Sequence, residues 1–120
     1  MPPVPPISSN TFRAVREAVQ ANLVHFSSHA LEEAAADRLR IGEITDITNR
    51  GECIEDYPTD PRGPSCLVLG YISDRSAVHA VWGFDQVSRQ AILITVYRPD
   101  PARWSEDFRK RRSRDVGEAE

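Results

Sequence analysis

The sequence predicts an α+β fold: N-terminal helices, then a four-stranded antiparallel meander sheet, then a C-terminal helix. Two observations carry this expectation. Apolar residues recur at three- and four-residue steps as far as Gly51, and they alternate with polar residues after it. The links between the alternating segments are short and rich in Pro, Gly, Asp and Ser, which favours antiparallel pairing of consecutive strands. At 120 residues and 40% hydrophobic composition, the chain has material for one small sheet and a few helices.

Residues 1–8 read as a flexible, proline-rich leader of polyproline character. Ser8, Ser9 and Asn10 offer N-caps for a first helix. Phe12, Val15, Val19, Leu23 and Phe26 then form one apolar stripe over roughly four turns. Ser27 and Ser28 restart the helix signal, and Leu31, Ala34, Ala35 and Leu39 follow. Ile41, Ile44 and Ile47 mark a short third helix, with Gly51 placed for its C-terminal cap. Segments 52–57, 66–72, 78–84 and 91–98 read as strands. Pro99 and Pro101 end the sheet, and residues 102–113 are expected to be helical. Residues 9–108 thus form a single α+β domain, and 109–120 a solvated, charged tail.

The charge is unevenly spread. Fourteen of the fifteen basic residues are arginine, and the net charge is −3. Residues 1–74 carry six basic and eleven acidic side chains, whereas 98–114 carry seven basic and three acidic. The overall sign argues against nonspecific coating of nucleic acid but leaves room for a local arginine site, because guanidinium forks onto phosphate. No apolar run reaches the length of a membrane span, and the N-terminus lacks the basic and apolar regions of a secretory signal, so a cytoplasmic protein with no membrane partner is expected. Cys53 and Cys66 have no zinc-ligand spacing and are expected to be reduced and buried.

Strand alternation sorts the candidate functional side chains. Val78, Ala80, Trp82 and Phe84 should face the helices, which turns His79 and Val81 to the opposite face. Ile92, Ile94 and Val96 should share one side of the last strand, and Leu93, Thr95 and Tyr97 the other. The turn at 73–76 is expected to set Tyr71 opposite His79. The next turn is expected to set Thr95 or Tyr97 opposite His79 on its other side. A histidine, two phenols and Arg98 at the strand end on one open face suit phosphodiester chemistry. The arginine would stabilise developing charge, and His or Tyr would move protons. The bland reading of the same residues is a hydrogen-bonded sheet histidine with amphipathic tyrosines. His29 begins the second helix, three residues before Glu32 and four before Glu33, so either carboxylate can orient its imidazole. With no third ligand in evidence, no metal site and no cofactor are expected.

Several stretches resemble the domain of unknown function 4258 family: Phe26-Ser27-Ser28-His29-Ala30, Gly51 to Pro58, Pro64 to Tyr71, and Val78-His79-Ala80-Val81. The closing run Thr95-Val96-Tyr97-Arg98-Pro99-Asp100-Pro101, with Trp104, extends the likeness over a core of about residues 26–104. That family is distantly similar to messenger RNA interferase toxins of the MqsR and RelE type. The resemblance implies a RelE/MqsR-like sheet, metal-independent cleavage of RNA through the ribose 2′-hydroxyl, and a small zinc-finger antitoxin as partner. It carries over His29, Glu32, His79, Tyr97 and Arg98 as site residues, with Tyr71 and Thr95 beside them. Where the family pattern runs His-Ala-x-Glu-Arg, this chain has His29-Ala30-Leu31-Glu32-Glu33, so Arg38 or Arg40 is expected to supply the missing charge. Residues 9–24 lie outside the likeness and suit a homodimer or antitoxin contact. The expected function is therefore a toxin-like endoribonuclease; the alternative is a non-catalytic protein-interaction or RNA-binding module of the same fold.

Overall fold

The structure, a computed structural model, describes residues 7–112. Three helices and five strands follow in the order α1 (Asn10–Gln20), β1 (Val24–Phe26), α2 (Ser28–Ala36), α3 (Ile41–Arg50), β2 (Glu52–Tyr57), β3 (Ser65–Tyr71), β4 (Ala77–Asp85) and β5 (Gln90–Tyr97). They build one sheet of order β1-β5-β4-β3-β2. The last four strands are the antiparallel meander the sequence predicts.

The fifth strand is a correction. β1 pairs parallel with β5, Val24 opposite Ala91 and Phe26 opposite Leu93. The first helix stops at Gln20, and Asn22 takes a left-handed φ of 61°. Leu23 and Phe26 keep helical spacing with Val19, which is why the period disguises the break. A C-terminal helix is absent among the described residues. Residues 99–112 instead form an irregular strap of turns, closed by a single bridge between Trp104 and Arg111. The predicted leader over 1–6 and the end of the tail, 113–120, lie outside the described residues.

Local chemistry explains the helices that do form. Ser9 caps α1 by accepting the Phe12 N–H at 2.9 Å while its hydroxyl donates to Asp56 at 2.7 Å. Ser27 caps α2 through the Ala30 N–H at 3.0 Å. Glu43 caps α3 by accepting the Arg40 N–H at 2.9 Å. Gly51 ends α3, although its φ of −84° is not left-handed. Glycine is needed there for space: a Cβ would lie 2.3 Å from the Ile47 oxygen and 2.4 Å from that of Leu69. Gly70 answers the same demand, since a Cβ would come within 2.5 Å of that of Ile47. Helix α3 thus rests directly on β3.

Two apolar clusters sit on opposite faces of the sheet. The larger joins Phe12, Val15, Ile44 and Ile47 of the helices to Val68, Val78, Ala80 and Trp82. The Trp82 indole donates to Thr48 at 2.9 Å, so even the polar edge of this residue is satisfied. The apolar side of α1, Phe12, Val15, Ala18 and Val19, is buried against this sheet. The smaller cluster joins Ile54, Leu67, Leu69 and Ala77 to Trp104 and Phe108 of the strap. No helix among the described residues is long and apolar enough to cross a membrane.

Candidate functional site

The face away from the helices carries most of the predicted residues, but the strap covers it. His79 faces that side, as its alternation with Ala80 requires, and Tyr97 stands directly opposite it. Tyr71 is two residues out of the predicted register. Leu69 pairs with His79, while Tyr71 pairs with Ala77 and reaches the strap at the Asp107 carbonyl. The link between β3 and β4 closes with Tyr71 paired to Ala77, the same length as the sequence suggests but one residue earlier in the chain.

His79 is completely buried. Its Nε2 lies 2.9 Å from the Phe108 carbonyl, which can only accept, so Nε2 carries the proton. Nδ1 is left to accept from the Tyr97 hydroxyl at 3.2 Å. The Trp104 ring packs edge-on at 4.3 Å. Burial holds the imidazole below its ordinary pKa, against the raising effect of the Phe108 carbonyl and the Glu55 charge. Burial also pushes the Tyr97 phenol up to about 12. A neutral histidine with both nitrogens engaged has none free for a substrate in this arrangement. The expected open face is thus closed here, because Trp104 and Phe108 find apolar seats on it.

A β-bulge at Ile94 redistributes β5. Val81 pairs with Thr95, but Trp82 pairs with Leu93, leaving Ile94 unopposed. Leu93 and Ala91 therefore join Val96 in the core, while Ile94 is exposed. The expected set of Ile92, Ile94 and Val96 is corrected accordingly.

The second predicted group assembles along the edge of β5. β1 covers that edge only as far as Leu93, and α2 covers the rest with side chains. Ser27 Oγ donates to the Ile94 carbonyl at 3.3 Å. One oxygen of Glu33, Oε1, accepts the Val96 N–H at 3.3 Å and the Thr95 hydroxyl, and it lies 3.2 Å from His29 Nε2. Asp37, one turn later, accepts the Arg98 N–H at 2.9 Å. Acids one turn apart thus stand in for a strand partner on the bare edge. His29 itself is 69% exposed, and among the described residues its Nδ1 has no hydrogen-bond partner.

Arg98 is engaged within the protein. Its guanidinium donates to the Asp37 carbonyl at 3.0 Å and to Ser76 Oγ at 2.6 Å, bracing α2 against the β3–β4 turn. Glu32 is exposed and makes no hydrogen bond among the described residues. Arg38 is exposed at the end of α2, with a φ of 56°. The structure thus brings together His29 with Thr95 and His79 with Tyr97, and leaves Glu32 and Arg38 apart.

Further contacts escape the sequence reading. Of the two carboxylates expected to orient His29, it is Glu33 at i+4 that does so, and what the sequence does not show is that the same oxygen also joins Thr95. Arg111 forks onto Glu55 at 2.9 and 3.1 Å, and its guanidinium lies 4.8 Å from the centre of the Trp104 ring. Arg109 pairs with Glu52 at 2.6 Å. The beginning of the charged tail is therefore fastened to β2, a correction to the solvated segment expected from residue 109.

A family model described as "Domain of unknown function (DUF4258)" matches residues 26–98. No curated protein and no solved structure matches the chain.

Proposed function

The chain belongs to the DUF4258 family, and on that premise we propose that it is a toxin-like endoribonuclease acting on messenger RNA without a metal. The observation that carries this reading is the exposed His29–Glu33–Thr95 row. A carboxylate fixed by a backbone N–H and a hydroxyl holds imidazole Nε2, on a side chain that is 69% exposed. That is the arrangement of an oriented general base. In this reading Nδ1 takes the proton of a ribose 2′-hydroxyl, whose oxygen attacks the adjacent phosphorus and displaces the 5′-oxygen. Glu33 steadies the imidazolium that results. His79 and Tyr97 act from below, holding β4 to β5 and to the strap. The distant likeness to MqsR- and RelE-type interferases, cytoplasmic action and a small zinc-finger antitoxin as partner belong to the same proposal.

The test is cleavage of single-stranded RNA by the purified protein in EDTA. His29→Ala is expected to slow cleavage by about 10²–10⁴-fold. Glu33→Gln can still accept from Val96 and Thr95, but it cannot stabilise the imidazolium. It should lower the rate while leaving the fold intact. A folded wild-type protein that leaves RNA whole sinks the enzymatic reading.

The closed environment of His79 favours a second reading, a non-catalytic module that binds RNA or a protein partner. Intact RNA with salt-sensitive binding would select it. Growth arrest on expression that His29→Ala relieves would count against it.

A further inference from the structure

Outside the site described above, two nucleophilic side chains stand on one face of neighbouring strands. Cys53 on β2 and Cys66 on β3 both face the helix side of the sheet, within the larger cluster. Both are free thiols and buried. Cys53 stands opposite Val68, and a bulge at Ile54 then shifts the register so that Asp56 stands opposite Cys66. The bulge sets the two cysteines diagonally across the strand pair on one face, and the Cys53 thiol donates to the Glu55 carbonyl at 3.2 Å.

The pair is asymmetric. Hydrogen bonding with Cys66 lowers the Cys53 pKa, outweighing the opposing effects of burial and of Asp56, and Ser9 adds to the lowering. The same interaction, with burial, raises the Cys66 thiol. Access is asymmetric as well. Cys53, itself only 2% exposed, is on the wall of a groove of about 700 Å³ beside α1, together with Phe12, Arg16 and Arg109, whereas Cys66 is wholly enclosed and lines none of it. Packing alone accounts for a buried thiol. It does not account for two on one face of neighbouring strands, one of them on the wall of a groove that also presents guanidinium groups.

We propose that Cys53 and Cys66 are a two-electron oxidation site, with Cys53 the sulfur attacked first and Cys66 the resolving thiol, and with a hydroperoxide as the oxidant. The Cys53 thiolate attacks the terminal peroxide oxygen; an S–O bond forms, the O–O bond breaks, and the departing oxygen takes a proton. The Cys66 sulfur then attacks Cys53, releasing its proton to the sulfenic oxygen, which leaves as water. With hydrogen peroxide, two thiols and one peroxide give one disulfide and two waters. The bond closes the 54–65 hairpin at its base. It would fix the bulge of β2, two residues from Glu55 and the strap's Arg111, and next to the Ser9–Asp56 contact that seats α1.

The experiment treats the full folded chain with hydrogen peroxide, followed by intact mass and tryptic mapping without reductant. The expected product has lost two hydrogens and links peptide 51–62 to peptide 63–75. Crosslinking should be at least tenfold faster in the folded chain than in urea. Cys66→Ser should instead accumulate a sulfenic acid at Cys53 that dimedone traps, and Cys53→Ser should give neither product. Absence of the linked peptide under conditions that fully oxidise glutathione would overturn the proposal, as would a link that forms only in urea. RNA cleavage does not enter this readout, so either proposal can fail alone.

Discussion

The two faces of the sheet are closed by different means. Residues of β4 alternate between them, so Val78, Ala80 and Trp82 meet helices while Ala77, His79 and Val81 meet the strap. On the helix side a large apolar cluster makes the main contact, with polar bonds such as Trp82 to Thr48 and Ser9 to Asp56 at its edges. On the strap side the cover has no regular hydrogen-bonding pattern of its own. It is fastened at discrete points: the Phe108 carbonyl to His79, Arg109 to Glu52 and Arg111 to Glu55. Area holds one face and a few directional bonds hold the other, so substitutions should act globally on the first and locally on the second.

The largest expected effect is on the helix side. Trp82→Ala removes the largest fully buried side chain and leaves Thr48 without its donor. A cavity of that size costs about 3–5 kcal/mol, read as a lower urea midpoint for the whole domain. A loss under 1 kcal/mol would mean that the two faces are not divided in this way.

The contrast also explains how much of the molecule was legible in the sequence. The bounds of the four meander strands and the outward turn of His79 follow from alternation, a strong signal where one face is buried. The turn, with Asp85 opposite Gln90, would alone set Val96 opposite His79; the bulge at Ile94 brings Tyr97 there, one of the two partners the sequence allows. Three features left no such signal. β1 has only Val24, His25 and Phe26, and it pairs with a strand far along the chain. The bulge at Ile94 inverts alternation inside an apolar run, where every residue fits either face. The strap has no period, although Trp104 and Phe108, four apart amid charged residues, mark it as a cover. The pairing of Glu33 with His29 follows from helix spacing, but nothing in the sequence marks the bare strand edge whose Val96 N–H needs the same carboxylate as acceptor.

His79→Ala should come next in size. It strands the buried Phe108 carbonyl and the Tyr97 hydroxyl, a cost of about 2 kcal/mol. Hydrogen exchange should rise mainly at the strap and along β4–β5, with the α1–α3 amides little changed. Uniform loss of protection over both faces would erase the distinction between them.

Acid should act on the strap side first. The folded-state pKa of His79 is lowered by burial, so below the ordinary value of about 6.5 the unfolded chain binds a proton that the folded chain refuses. Its contribution is therefore complete above that pH and is lost as pH falls toward the folded value. The slope is at most about 1.4 kcal/mol per pH unit. The exposed His25 and His29 remain in a His79→Leu variant, so the wild-type slope minus the variant slope isolates this one group. Equal slopes would mean that the histidine is not buried neutral.

The smallest effect should come from the most conspicuous ion pair. Arg111 forks onto Glu55 with good geometry, yet its side chain is 63% exposed. Solvent and salt screen such a pair, and exposed pairs typically contribute about 0.2–1 kcal/mol. Burial works to raise the Glu55 carboxyl, but hydrogen bonds from Arg111 and Tyr57 prevail and hold it below the usual range. The stability it adds is thus present above the ordinary carboxylate pKa and is lost as pH falls through the depressed one. Arg111→Ala also uncovers a face of Trp104, whereas Glu55→Gln keeps that cover and removes only the charge. The arginine variant should therefore cost more than the glutamine variant, and only the glutamine variant's loss should vanish in 1 M salt. The reverse order would mean that charge, and not the covering of Trp104, fastens the end of the strap.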